Sequence, residues 1–355
     1  RLGGREIGYA SDADVLFVHE SRDGADDASA AQEAEAVAKQ VVGLLASARP
    51  HPLEVDSDLR PEGRQGVMSR SLAAYGEYYG RWSALWERQA LLRARACAGD
   101  GDLGRRFEEL INPLRWAEGG LSTQDLREIR RIKARVETER LPRGIDPARH
   151  LKLGPGGLSD VEWSAQVLQL AHAGRIAGLR TTSTTGALQA AVQAGLLSAD
   201  DGGVLASTWI LASRLRSAIV LGTGRASGPR SQVLPVQVRE IRLVGRLIGL
   251  GSGKERELED LYRRSARHTR AVAERIVFTD GTAHGSPPSA PTPSTSTSVS
   301  QDQSAEPAPG RSTGSARNAY GQSRRGTAAS GSRSPRRAGR NRATRRRPEG
   351  PYPWS

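Results

Sequence analysis

Two aspartate pairs, Asp12 with Asp14 and Asp56 with Asp58, share a D-x-D spacing beside runs of strand-forming residues. Side chains in a strand alternate with a period of two, so both members of such a pair project from one face. Asp12 and Asp14 can converge on one divalent cation. If the second strand lies beside the first, Asp56 or Asp58 adds a third oxygen ligand. Hard oxygen donors with no soft partner suit Mg²⁺ held jointly by carboxylates and substrate phosphates. Gly3 and Gly4 precede the first pair, and a glycine turn lets backbone approach an anion and cradle it with amides. The chemistry implied is nucleotidyl transfer: metal ions neutralise a triphosphate while a carboxylate orients or deprotonates the attacking hydroxyl. The competing reading of such pairs is solvated surface carboxylates or turn caps.

Placing these residues falls to the first hundred positions. VLFVHE at 15–20 reads as a strand, and His19 at its end as a surface or capping histidine. Val37, Val41, Leu44 and Leu45 predict a helix over 31–47. PLEVDSDLRPEG alternates acids against Leu53, Val55 and Ser57 until Pro61 and Gly63, which predicts a second strand. Ser71 opens a helix whose Leu72, Tyr75, Tyr79, Trp82 and Trp86 recur every three or four residues. That spacing assigns Tyr75, Trp82 and Trp86 to core packing rather than to stacking on a base. Leu92, Ala94 and Ala96 alternate with Arg93, Arg95 and Cys97, predicting a third strand over 90–97 with Cys97 buried and inert. Strands and helices interleaved over 1–103 make a small mixed α/β unit.

From about 104 the periodicity is helical. Leu126, Ile129, Ile132 and Val136 form one stripe, with Ser122 or Thr123 as cap and Pro142 beyond the end. Its charged residues, Lys133 among them, read as a solvated face with i,i+4 pairs. Trp163, Val167 and Leu170 mark another helix, and further periods fall at 184–195, 203–222, 232–248 and 254–277. Residues 104–280 are therefore expected to be an all-α bundle of five to seven helices. GLGSGKE lacks the spacing and the hydroxyl of a P-loop.

The formal charge of +13 suggests a polyanion partner until it is localised. Residues 281–355 hold 12 Arg against 3 acidic residues, leaving 40 basic and 36 acidic side chains before them. That Ser-, Pro- and Arg-rich tail lacks the aliphatic content to offset ordering entropy and is expected to be disordered. One cysteine excludes an intrachain disulfide framework and a four-cysteine zinc site. No run of 18 apolar residues and no signal-peptide zones are found, so a cytoplasmic protein without membrane contact is expected. The first residue is Arg1, and the chain enters directly on a turn, which reads as a fragment of something longer.

Four blocks, LGGREIGYASDADVLFVHE, LEVDSDLRPEGRQG, YYGRWSALWERQALLRARACAGD and KLGPGGLSDVEWSAQVLQL, together resemble the bifunctional glutamine synthetase adenylyltransferase/adenylyl-removing family. The resemblance covers roughly 1–278 and is closest to the family's C-terminal adenylyltransferase copy, within the polymerase-beta-like nucleotidyltransferase superfamily. It implies an α+β chain: a small mixed α/β nucleotidyltransferase domain (1–103, N-terminally incomplete), an all-α helical domain (104–280) and the disordered tail (281–355). It implies transfer of AMP from ATP to a tyrosine of glutamine synthetase. Asp12, Asp14 and Asp56 are then the catalytic and metal-holding carboxylates for Mg²⁺, with Asp56 best placed to activate the hydroxyl. Asp58 ranks below Asp56, since many relatives carry a basic residue there. Gly3, Gly4 and Ser11 form the phosphate-turn element. Arg60, Arg93 and Arg95 are candidate neutralisers of ATP charge or partners of the carboxylates. Lys152, Gly156, Gly157, Asp160 and Glu162 match a further family block without an assigned chemical role. The implied partners are glutamine synthetase and, in the full-length enzyme, a PII-type nitrogen regulatory protein. Alternatives are the adenylyl-removing copy, an inactive remnant keeping fold and contacts, and a nucleic-acid-binding protein acting through the arginine-rich tail.

Overall fold

A hydroxyl or carboxylate stands where most of the helices begin, and side-chain capping of free amides sets their first turns. Asp26 accepts from the Ser29 amide at 2.9 Å to open α1 (Asp27–Ser47), Ser71 caps α2 (Leu72–Trp82), and Asp100 caps α4 (Gly101–Arg115). Ser122 and Asp125 exchange bonds at the start of α5 (Thr123–Glu139). The computed structural model describes residues 2–278 apart from Ala10, Asp23, Pro50, His51, Ser227 and Ser252. The expected disordered tail lies outside the described residues.

The strands are short and pair in parallel. β1 (Ala13–Asp14) pairs with β3 (Val55–Asp56), and β2 (Phe17–His19) pairs with β4 (Ser69–Ser71). Of the strand expected over 15–20 only Phe17–His19 forms, and a separate piece with a different partner, Ala13–Asp14, precedes it across Val15 and Leu16. β4 carries the polar sequence SRS, which has no apolar alternation to announce it. It is held by its ladder and by Glu35 of α1, whose carboxylate accepts from the Met68 and Ser69 amides at 2.7 and 3.2 Å. His19 is half-buried and shares a 2.9 Å bond with Ser69 Oγ, so it belongs to this pairing rather than to the surface.

The expected third strand does not form. Leu85–Leu91 is a helix, α3, started by Glu87 accepting from the Ala84 amide at 2.7 Å, and residues beyond it are irregular. Within that segment the Ala94 carbonyl accepts from Arg115 at 2.7 Å and the Ala96 carbonyl from Arg95 at 3.0 Å, side-chain partners in place of a ladder. Cys97 is consequently exposed rather than buried. The helix expected through Trp86 breaks at Ser83–Ala84. Tyr75 and Tyr79 are in the core, Trp86 packs partly buried on the helical side, and Trp82 is 64 % exposed, against expectation.

Two apolar clusters result. Tyr75, Tyr79, Leu91, Phe107 and Ile111 form the smaller, with Tyr75 stacked on Tyr79 at 5.8 Å and edge-on to Phe107 at 5.2 Å. The larger is built by α5, α6 (Leu158–His172), α7 (Thr184–Gln193), α8 (Ala199–Thr223), α9 (Val238–Leu247) and α10 (Glu255–Ala273). Among the described residues, seven α-helices therefore follow the α3 segment. α8 is long and apolar enough to span a membrane by composition, but Leu205, Trp209, Ala212, Leu215 and Ile219 of it lie in this core.

α6 is the central helix, buried along nearly its whole length. Its Asp160, 1 % exposed, accepts from the Gly156 amide at 2.7 Å and is bridged by Lys133 of α5 and Arg270 of α10. Lys133, read from sequence as solvated, is 1 % exposed, with a second bond to Glu137 at 2.8 Å. Gly156 has φ +73°, and a Cβ there would stand 1.8 Å from the Ala266 carbonyl oxygen. The glycine-rich block before α6 thus has a packing role: it seats α6 against α10 while its amide partners Asp160.

Candidate functional site

The register of one short strand pair assembles the carboxylates. The Ala13 amide donates to the Glu54 carbonyl at 2.8 Å and the Val15 amide to the Asp56 carbonyl at 2.7 Å, setting Asp14 opposite Asp56. Asp12 shares Asp14's face by the period of two. One carboxylate oxygen from each of Asp12, Asp14 and Asp56 lies within 4.8 Å of the others, and all three residues are half-buried. Three like charges at this spacing repel one another in partly desolvated surroundings, which a cation among them would offset. Asp58 turns away: its carboxylate pairs with Arg64 at 2.6 Å and Arg60 at 3.6 Å, while its amide donates to Asp56 Oδ1 at 2.7 Å.

The Gly3–Gly4 turn is wedged between two other segments. A Cβ on Gly3 would stand 1.7 Å from the Arg93 carbonyl oxygen, and the Gly3 carbonyl accepts from Arg95 Nε at 3.0 Å and Thr182 Oγ1 at 3.1 Å. Glycine here serves close backbone packing, a reason that sequence reading did not supply. Gly4 is buried against the Thr182 carbonyl. The Ser11 amide closes a turn onto Gly8 at 3.2 Å just before Asp12.

The basic candidates separate. Arg60 is spent on its own loop, donating to Ser57 and Gly66 at 2.9–3.0 Å. Arg93 is buried and donates to Gln169 of α6 at 2.7 Å, and Gln89 donates to Gln166 at 2.7 Å, so α3 is keyed to α6 by paired polar groups. Arg93 and Arg95 both border a cleft of about 220 Å³ that also meets Gly3, Asp14, Tyr79 and Cys97. Lys152 lies elsewhere, on a small cavity with Ser159 and Trp163; Glu162 borders both spaces. Burial pushes the Tyr75 and Tyr79 phenols well above their ordinary range, and Tyr79 is the one of the pair that borders the cleft. It pushes the Glu87 carboxyl up as well, opposed by the Ala84 amide. Sequence reading missed Glu6 and the hydroxyl run Thr181–Thr185 that meets it; that polar run ahead of a helical period was the available signal.

Residues 1–110 match the family model described as glutamate-ammonia ligase adenylyltransferase, and residues 129–277 match that of GlnD PII-uridylyltransferase. Bifunctional glutamine synthetase adenylyltransferase/adenylyl-removing enzymes are similar over 280 residues at 54 % identity in Streptomyces coelicolor and 53 % in Streptomyces avermitilis. That of Nocardia farcinica is 49 % identical over 278 residues. Each alignment covers 78 % of this chain, and the chain spans 27–28 % of the length of these curated relatives. Over 280 of its 355 residues the chain is similar to the bifunctional glutamine synthetase adenylyltransferase/adenylyl-removing enzymes.

Proposed function

We propose that this chain transfers AMP from ATP to a tyrosine hydroxyl of glutamine synthetase. The observation that carries the reading is the convergence of Asp12, Asp14 and Asp56 beside a cleft, within a sequence similar to enzymes named for this activity. Three hard oxygen donors within 4.8 Å of one another fit a small divalent cation, and these residues would hold Mg²⁺. When bound, the ion supplies charge neutralisation on the triphosphate.

The chain's own groups do the rest. Asp56 orients the incoming tyrosine hydroxyl and takes its proton as the oxygen bonds to the α-phosphorus; the bond to the bridging oxygen breaks and pyrophosphate departs. On this reading the Gly3–Gly4 turn faces the phosphates, and Arg93 and Arg95, which border the same cleft as Asp14, are the cations that meet developing charge. The cleft of about 220 Å³ bordered by Asp14, Arg93 and Arg95 is where this reading seats the nucleotide.

The reading places the protein in the cytoplasm, with glutamine synthetase as partner and a PII-type regulator acting on the full-length enzyme. The test is incubation of the purified chain with Mg²⁺, ATP and unmodified glutamine synthetase, following AMP on the acceptor by mass. Release of ADP from already modified enzyme in phosphate, with no forward transfer, would assign the adenylyl-removing role instead.

A further inference from the structure

The Gly-Gly turn is anchored from the far side of the chain. Glu6 Oε1 accepts from the Thr184 amide at 2.7 Å and from Ser183 Oγ at 3.2 Å, and Oε2 accepts from Thr184 Oγ1 at 2.8 Å. Ser183 also caps α7 through the Gly186 amide at 3.2 Å. The Glu6 carboxylate therefore sits on the positive end of α7, where helix amides and dipole favour an anion. Together with the Thr182 bond to the Gly3 carbonyl, this fastens residues 3–6 to a segment about 178 positions away.

Between Gly3 and β1 the described backbone is turn and irregular, with only the Leu2–Arg5 and Gly8–Ser11 turn bonds inside it. Arg5, next to Glu6, has φ +58°, a left-handed conformation that a non-glycine residue keeps only where its surroundings impose it. The strand carboxylates take their position from β3, whereas the glycine turn takes its position from the segment entering α7 and from Arg93–Arg95.

We propose that Glu6 is a positioning residue for nucleotidyl transfer, holding the phosphate-side turn against the carboxylate cluster through the N-terminus of α7. The proposal rests on the AMP-transfer reading. It makes the helical region a contributor to active-site geometry, and a misplacement of about 1 Å in such a turn costs on the order of 100-fold in rate.

The test uses the full 355-residue chain with Mg²⁺, ATP and unmodified glutamine synthetase. Glu6→Ala lowers kcat by about 10- to 100-fold while the KM for ATP moves little, since the loss lies in transition-state alignment. Glu6→Gln recovers most of the rate: its oxygen accepts from the Thr184 amide and its amide donates to Thr184 Oγ1. Thr184→Val deletes one of the three bonds and keeps the backbone donor. It lowers kcat less, and it decides the matter should Glu6→Ala fail to fold. A kcat within twofold of wild type in folded Glu6→Ala or in Thr184→Val, a loss confined to KM, or no recovery in Glu6→Gln would overturn the positioning role and leave AMP transfer standing. A wild-type chain that transfers no AMP overturns the transfer reading and the positioning role with it.

Discussion

Asp14 and Asp56 are register partners across a two-residue parallel strand pair, and that pairing turns two distant D-x-D elements into one carboxylate cluster. Of the four aspartates the spacing picks out, three converge. The fourth, Asp58, is taken by Arg64 and Arg60.

On the AMP-transfer reading Asp56→Asn should reduce transfer by at least about 100-fold, since it removes one carboxylate of the set that would hold Mg²⁺. The asparagine oxygen still accepts from the Asp58 amide, which Asp56 Oδ1 meets at 2.7 Å. Removing one of three like charges also relieves repulsion, so the thermal unfolding midpoint should stay level or rise. Steady-state rates and calorimetry on the same sample check both halves.

Cys97 is exposed and borders the cleft that Asp14 enters. Mg-ATP should slow its alkylation by a maleimide several-fold. Equal labelling with and without nucleotide would place the nucleoside elsewhere.

The mixed α/β start, the helical remainder and several caps were legible, because apolar period and N-cap residues report local structure directly. Ser122, Ser71 and the Leu126–Val136 stripe are examples. The convergence of Asp12 and Asp14 was legible for the same reason. What escaped was set by partners far along the chain. β4 exists through its ladder to β2, and residues 90–97 form no strand, the Ala94 carbonyl meeting the distant Arg115 instead of a ladder partner. Lys133 looks like one more charge on a solvated helix until Asp160 arrives from α6. Glu6 shows no motif, since its partners lie at 183–184.

Lys133→Met should destabilise the fold by about 3–5 kcal/mol, as deleting one side of a buried ion pair strands the other charge. Arg270, 3.3 Å from Asp160, holds the loss toward the lower figure. Adding Asp160→Asn should return part of it. Urea denaturation of the single and double variants measures the difference.

His150 is 3 % exposed, and its Nδ1 accepts from the Leu153 amide at 3.0 Å and the Lys152 amide at 3.3 Å. Burial, with Lys152 and Arg216 nearby, lowers its pKa to about 4. Above pH 6.5 the ring is neutral folded and unfolded, and its contribution is fully present. Between 6.5 and 4 the unfolded chain takes up a proton that the folded chain refuses, so up to about 3 kcal/mol is lost as pH falls. Below 4 both forms are protonated and the loss stops growing. The difference in stability between wild type and His150→Asn, followed from about pH 7 to 4, should shrink by that amount.

The most direct measurement is transfer of label from α-labelled ATP to glutamine synthetase by the wild-type chain and by Asp12→Asn/Asp14→Asn, each with Mg²⁺ and with chelator. Label should pass to the acceptor only with the wild-type chain and Mg²⁺, the double variant remaining folded and inactive. Transfer undiminished in the folded double variant, or none from the wild-type chain with Mg²⁺ present, would contradict the assignment of this carboxylate cluster as the site of AMP transfer.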